Sequence, residues 1–82
     1  MSNETYDEIR NERKKQDKKW GGIDHDDKHS SHDWVAYIVR HTGMAVHWPW
    51  DTNIFRQQMI RVAALAVAAI EWTDRKNKGE NR

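Results

Sequence analysis

The sequence feature that most limits the fold is an unbroken apolar run from Val62 to Ile70. Alanine and leucine favour helix, and an unbroken run of apolar residues covers every side of a helix. A helix of this kind in a soluble protein must be contacted all round. The run is much shorter than the ~20 residues that span a bilayer, so it indicates a buried helix and no membrane segment.

Helix signals also mark the rest of the chain. Residues 4–19 lack Gly and Pro and are rich in good helix formers, and Gly21 and Gly22 then favour a helix end. Ser30 or Ser31, with Asp33, forms an approximate capping box before a second helix, which ends before Pro49. Residues 23–31 are expected to form a polar loop. The sequence predicts an all-α chain with helices at about 4–19, 31–47 and 53–76.

The length and the lack of cysteine indicate how such a chain is stabilised. A chain of 82 residues forms a single domain, 1–82, near the size below which one core gives little net stability. No disulfide can contribute. We therefore expect a homo-oligomeric helical bundle assembled through the helix at 54–76, with disordered ends at 1–3 and 77–82.

The charge balance limits the classes of partner. Charged residues make up 33% of the chain, yet the formal net charge is only +1, whereas a binder of duplex nucleic acid is usually more basic. The N-terminus has no apolar segment typical of a signal peptide. We expect a cytoplasmic protein with no membrane and no duplex nucleic acid as partner. The basic run from Arg13 to Lys19 is interpreted as a solvated helix face, with a phosphate-binding strip as the alternative.

Two features carry possible binding chemistry. The chain has five tryptophans and five histidines, which either compensate for an alanine-rich core or provide a place for a base to stack. The segment from Asp24 to His29 is the densest cluster of potential ligands. It could bind a divalent transition metal, but its spacing matches no strong metal motif, and a loop that caps a helix or covers a site is the preferred interpretation.

Three parts of the chain carry a resemblance to a known family. They are Ile9-Arg10-Asn11-Glu12-Arg13 with Gln16 and Lys19-Trp20-Gly21; the segment Trp34–Val46; and Phe55 through Val62-Ala63-Ala64 to Ile70-Glu71 and Asp74-Arg75. Together they resemble small phage-type members of the MazG-like all-α nucleoside triphosphate pyrophosphohydrolases. In that family, carboxylates on two helices surround Mg²⁺, which binds the triphosphate and activates water.

This chain departs from the family pattern at the metal site. The positions that correspond to the first carboxylate motif hold Arg40, His41 and Met44, and those of the second hold Gln58 and Arg61. A pocket with cations in place of carboxylates binds Mg²⁺ poorly, but the planar fork of arginine matches phosphate oxygens. The resemblance therefore implies nucleotide binding without hydrolysis. The alternative is that Arg40 and Arg61 only pair with acids on neighbouring helices.

The predicted function is metal-independent binding and sequestration of a phosphorylated nucleotide, which could be cyclic. The specific form is a phage-type sponge for a nucleotide second messenger of antiviral signalling, in the cytoplasm of an infected bacterium. No cofactor and no catalytic or metal-binding residue is assigned. The candidate ligand-binding residues are Trp20, Asp24, His25, His29, Trp34, Arg40, His41, His47, Arg56, Gln58 and Arg61; Trp48 and Trp50 are further candidates for stacking.

Two other functions stay open at this point. One is a pyrophosphohydrolase dependent on Mg²⁺ or Mn²⁺, whose acids would come from Asp24–Asp27 or from Glu71 and Asp74. The other is a structural helical oligomerisation module, in which the polar segment is only a connector.

Overall fold

The computed structural model describes residues 3–47 and 50–80. Four helices follow one another: α1 (Asn3–Trp20), α2 (Gly22–Asp26), α3 (Ser31–Val46) and α4 (Thr52–Glu80). The described residues contain no strand, so the predicted all-α class is confirmed. None of the described helices has the length and apolar character that crossing a membrane requires.

The segment predicted to be a polar loop begins instead with a short helix, α2. Gly21 has φ of +103°, and its N–H donates to the Asp17 carbonyl at 2.9 Å, which ends α1 as predicted. Gly22 also has a positive φ, +68°. The two left-handed residues turn the chain sharply, and a new helix starts at once. A five-residue helix is too short to produce a periodic sequence pattern, which explains why three helices were predicted.

The predicted helix boundaries also differ at the end of the chain. α4 extends through Glu80, whereas the sequence predicted its end near residue 76 and disorder over 77–82. Residues 77–80 include no proline, and Lys78 favours helix, so the helix continues although Asn77 and Gly79 are poor helix formers. Residues 1, 2, 81 and 82 lie outside the described residues. Trp48 and Pro49 also lie outside the described residues. The predictions that Trp48 lies on the face of the second helix and that Pro49 ends this helix therefore concern residues that the structure does not describe.

The capping box predicted for the second helix is present. The Asp33 N–H donates to the Ser30 hydroxyl at 3.3 Å, and the Ser30 N–H donates to the Asp33 carboxylate at 2.9 Å. Asp51 caps α4 in a similar way, since its carboxylate accepts from the N–H groups of Asn53 and Ile54. Both caps satisfy N–H groups that the first turn of a helix leaves without partners.

α4 is the element on which the other helices pack. α3 runs antiparallel to it, because Trp34 contacts Trp72 while His41, further along α3, contacts Gln58, earlier in α4. α1 crosses another side of α4 and is joined to it by ion pairs. The buried apolar residues are Trp34, Ala45, Ala64 and Ala68.

The apolar run is covered on one side only within a single chain. Ala64 and Ala68 are 0% and 2% exposed, whereas Ile70 is 61% exposed. The expectation of contacts all round is therefore met for the side that faces α1 and α3. The opposite side is only partly covered in the isolated chain, because Ile70 is exposed and Val62 and Ala66 are half-buried.

The capping box gives a stability prediction. Ser30→Ala removes the hydroxyl that accepts from the Asp33 N–H, and loss of an N-cap of this type costs about 1 kcal/mol. We expect a lower urea midpoint with an unchanged m-value. Ser31→Ala, one residue inside the helix, is the matched control and should change the midpoint little. Equal effects of the two substitutions would show that the box does not stabilise α3.

Candidate functional site

A cleft of about 450 Å³ lies between α1 and α3, with α4 as its floor. This volume is within the range of about 300–1,000 Å³ that is typical of small-molecule sites. Its α1 residues are Glu12, Arg13, Lys15, Gln16, Lys19 and Trp20. The other lining residues are His25, Asp26 and His29 from α2 and the turn after it, Trp34, Tyr37, Arg40 and His41 from α3, and Gln57, Arg61, Leu65 and Ala68 from α4.

Aromatic rings are concentrated at one end of the cleft. Trp20 stacks on His25 at 5.9 Å between ring centroids, and His29 stacks on Trp34 at 5.1 Å. His25 and His29 meet edge to face at 4.6 Å, which joins the two pairs into one row. Tyr37 lies beside His29 at 5.3 Å. We call these five residues the aromatic end of the cleft.

The orientation of the His29 ring is fixed by two hydrogen bonds. Its Nδ1 lies 2.9 Å from the His25 carbonyl oxygen and its Nε2 lies 3.2 Å from the Tyr37 hydroxyl. A carbonyl oxygen can only accept, so Nδ1 carries the hydrogen, and in the neutral ring Nε2 accepts from Tyr37. The ring is thus held flat against Trp34 before any ligand arrives.

Three cations define the opposite end, which we call the cationic end: Lys15, Arg40 and Arg61. Arg40 follows Trp34 by six residues on α3, a rise of about 9 Å, and Tyr37 lies between them. None of the three forms an ion pair within the described part of the chain. The alternative that Arg40 and Arg61 serve only to pair with acids therefore lacks support in the structure.

Other arginines, in contrast, are neutralised by acids. Arg13 contacts Asp17 at 3.0 Å, Glu71 at 3.3 Å and Asp26 at 3.9 Å. Arg56 makes a bidentate ion pair with Glu8, with N···O distances of 2.6 and 2.7 Å. The hydrogen bonds of this pair lower the pKa of Glu8 and raise that of Arg56. Arg56 was predicted to bind ligand, but its guanidinium is engaged with α1 and it does not line the cleft.

His41 is held in place by a buried partner. The Gln58 amide oxygen lies 3.1 Å from His41 Nδ1, and Gln58 is only 5% exposed. Because the amide oxygen accepts, Nδ1 carries the hydrogen of the neutral ring and Nε2 keeps its lone pair. Gln58 was predicted as a direct ligand contact; in the structure it lies behind the lining of the cleft and orients His41.

Two buried polar atoms of cleft residues have no hydrogen-bond partner. They are the amide oxygen of Gln16 and the indole nitrogen of Trp34, whose residue is 4% exposed. The Gln16 amide nitrogen donates to Glu12, which fixes which end of the amide is the acceptor. Unpaired buried polar groups are uncommon and costly. Both atoms are buried beneath the surface of the cleft, so a bound molecule could reach them only after a rearrangement of these side chains.

Asp26 is a carboxyl buried at the aromatic end. It is 8% exposed, and burial raises its pKa, while the Arg13 guanidinium 3.9 Å away acts in the opposite direction. Its neighbour Asp27 is exposed and pairs with Arg75 at 2.8 Å. Among the described residues, no three His, Cys, Asp or Glu side chains are grouped so that they could ligate one metal ion.

The structure brings most of the predicted residues together. The cleft is lined by Trp20, His25, His29, Trp34, Arg40, His41 and Arg61 and not by Asp24, His47, Arg56 or Gln58. Trp50, proposed for stacking, is 75% exposed and is not part of the lining.

Trp20 was the only residue of α1 among the predicted ligand-binding residues, and the preferred interpretation of the basic run was a solvated face. The structure shows Lys14, Lys15, Lys18 and Lys19 exposed, and Lys15 and Lys19 also line the cleft. Their spacing of four residues, shared with Gln16 and Trp20, was the available signal.

Comparisons with protein-family models, curated proteins and solved structures give no match for this chain. The function is therefore argued from the chemistry of the cleft.

The buried carboxyl predicts a pH dependence of stability. A carboxyl with a raised pKa in the folded state contributes most favourably below its unfolded value, about 3.9, and loses that contribution as the pH rises through the folded value. We expect the stability of the wild type, measured relative to Asp26→Asn in urea, to fall between pH 3.5 and pH 7, values chosen roughly to bracket this change. Asp24→Asn controls for the loss of one charge. A relative stability that rises with pH would contradict the assignment.

Proposed function

We propose that the cleft binds a phosphorylated nucleotide directly, with the base at the aromatic end and phosphate at the cationic end. The observation that carries this proposal is the pair of arginines, Arg40 and Arg61, which face the cleft without an acidic partner beside a row of stacked rings. A flat apolar surface and fixed positive charge within one small site match the base and the phosphate of a nucleotide.

The aromatic end suits a base because it offers surfaces for stacking. Stacking of a base on an aromatic side chain contributes about 1–3 kcal/mol and does not depend on the identity of the base. Trp20 and Tyr37 are exposed at this end, so their rings are open to a bound base.

The cationic end suits phosphate. Five lysines and arginines line the cleft against two carboxylates, Glu12 and Asp26. Arg13 is already neutralised by acids, so the charge that remains for a ligand belongs to Lys15, Lys19, Arg40 and Arg61. Arginine binds phosphate with two parallel hydrogen bonds, and unpaired guanidinium groups need not break an ion pair first.

We further propose that binding needs no metal and that the protein sequesters its ligand. The resemblance to MazG-like enzymes supports this, because Arg40, His41 and Arg61 stand where that family has carboxylates around Mg²⁺. Fixed positive charge would take over the role of the ion in neutralising phosphate. The sponge for a nucleotide second messenger is the specific form of this proposal, and it rests on the resemblance alone.

The test is a thermal-shift and calorimetry screen of the full chain. The probes are nucleoside mono- and triphosphates, cyclic mono- and dinucleotides, short oligonucleotides and the matching unphosphorylated nucleosides, each in EDTA and in Mg²⁺. We expect at least one phosphorylated ligand to raise the melting temperature equally in both buffers, because a ligand that binds the native state stabilises it by mass action. Stabilisation seen only with metal, or pyrophosphate release in Mg²⁺ or Mn²⁺, would favour the hydrolase instead.

The cationic end gives a substitution test of the same proposal. Arg40→Gln with Arg61→Gln should weaken binding of the best phosphorylated ligand at least tenfold, since each charge-assisted hydrogen bond contributes about 1.5–3 kcal/mol. Arg10→Gln with Lys78→Gln removes the same net charge from exposed positions outside the cleft and is the matched control. Equal losses in the two double variants would show that only overall charge matters and would contradict this site.

A further inference from the structure

The single chain exposes more surface than is usual for a protein of its mass. Its solvent-accessible surface is 6332 Å² for 9.8 kDa, whereas the relation between area and mass for monomeric proteins gives about 5,200 Å². The difference, roughly 1,100 Å², exceeds the ~800 Å² that each partner contributes to a standard protein interface. The excess surface is therefore large enough to supply one partner's share of such an interface.

Five of the exposed large apolar residues lie on the side of α3 and α4 that faces away from the cleft. Val35, Val39 and Val46 recur along one side of α3 and are 59%, 61% and 70% exposed. Phe55 and Ile70 of α4 are 47% and 61% exposed. We call these five residues the reverse face.

The α4 part of the reverse face is one continuous strip. Between its ends, Met59, Val62 and Ala66 follow at spacings of three and four residues, which places them on one side of the helix, and all three are half-buried. The helical positions put this strip beside the valines of α3. Together the two helices present an apolar surface with two parallel ridges.

No Asp, Glu, Lys or Arg of α3, or of α4 up to Thr73, lies on this side of the two helices. Asp33 caps α3, Arg40 and Arg61 line the cleft, and Arg56 and Glu71 pair with α1. The exposed His32, seven residues before Val39, is the titratable residue of α3 at the edge of the reverse face. In a chain in which one residue in three is charged, a helix side with so little charge favours a surface that is covered.

Gly43 is a second, independent sign of close approach. It lies in the middle of α3, four residues after Val39 and three before Val46, where glycine is less favourable than alanine by about 0.5–1 kcal/mol. A Cβ at this position would meet no atom of the same chain within 4 Å. Nothing inside the single chain therefore requires glycine, whereas a helix packed against this surface from outside would.

The small core of the single chain indicates what binds the reverse face. Within residues 3–47 and 50–80, three of the four buried apolar residues are alanines, and no large side chain is fully buried. An 82-residue chain with so little internal burial needs further apolar contact to be stable by itself. We propose that the reverse face binds the reverse face of a second copy of this chain, so that four helices enclose one apolar layer and the two clefts open on opposite sides.

The experiment measures the mass of the purified full chain by sedimentation over a wide concentration range, without ligand. The wild type should have at least twice the mass of one chain. Val39→Glu places a carboxylate at the centre of the face and should raise the dissociation constant at least tenfold. Ile23→Glu, the same type of change at an exposed residue of α2, should leave the mass unchanged.

Two further measurements distinguish weaker association of the Val39→Glu variant from a failure of that variant to fold. Gly43→Leu adds bulk where the single chain has room, so it should weaken association without loss of helix by circular dichroism. The wild-type melting temperature should rise with protein concentration, as expected when association and folding are coupled. A wild type that is a single chain at every concentration, or variants that associate as the wild type does, would overturn the proposal.

Discussion

The packing of α3 against α4 through small side chains is the contact on which the rest of the structure depends. Ala45 of α3 and Ala64 and Ala68 of α4 are almost fully buried, and the Trp34 ring meets the Trp72 ring across the two helices. This pair fixes both the floor and one wall of the cleft. α1 adds the other wall, yet it is joined to α4 mainly by ion pairs of Arg13 and Arg56 with acids, which are weaker than apolar burial when exposed.

The difference between the apolar packing of α3 on α4 and the ionic attachment of α1 explains why the cleft exists. An α1 with a broad apolar face would pack into the space between α3 and α4 and fill it. Instead α1 buries no residue fully and meets α4 through long charged side chains, so a gap of about 450 Å³ is left open. The aromatic rings that line the gap are held by contacts with one another, and His29 is held by hydrogen bonds on both ring nitrogens. The binding surface is thus preorganised although the chain has a small core.

Local signals made part of this predictable from sequence. Gly21 and the Ser30–Asp33 box mark helix ends through short-range backbone chemistry, and both appear in the structure as predicted. Helical spacing also placed Trp34 and His41 on one side of α3. The burial of Asp26 and the pairing of Arg56 with Glu8 were not accessible, because both depend on where α1 and α2 lie relative to α4, and residues 48 apart in sequence leave no local pattern.

α4 connects the two surfaces on which the proposals rest. Arg61 and Ala68 face the cleft, while Phe55, Ala66 and Ile70 lie on the other side of the same helix. An all-round apolar helix has no single preferred orientation by itself. The cations at its beginning remove that ambiguity, because Arg56 must meet Glu8 on α1 and Arg61 must stay near water in the cleft. Once these two residues are placed, Leu65 and Ala68 lie at the floor of the cleft, and Phe55, Ala66 and Ile70 lie on the side of α4 that we propose binds a second copy.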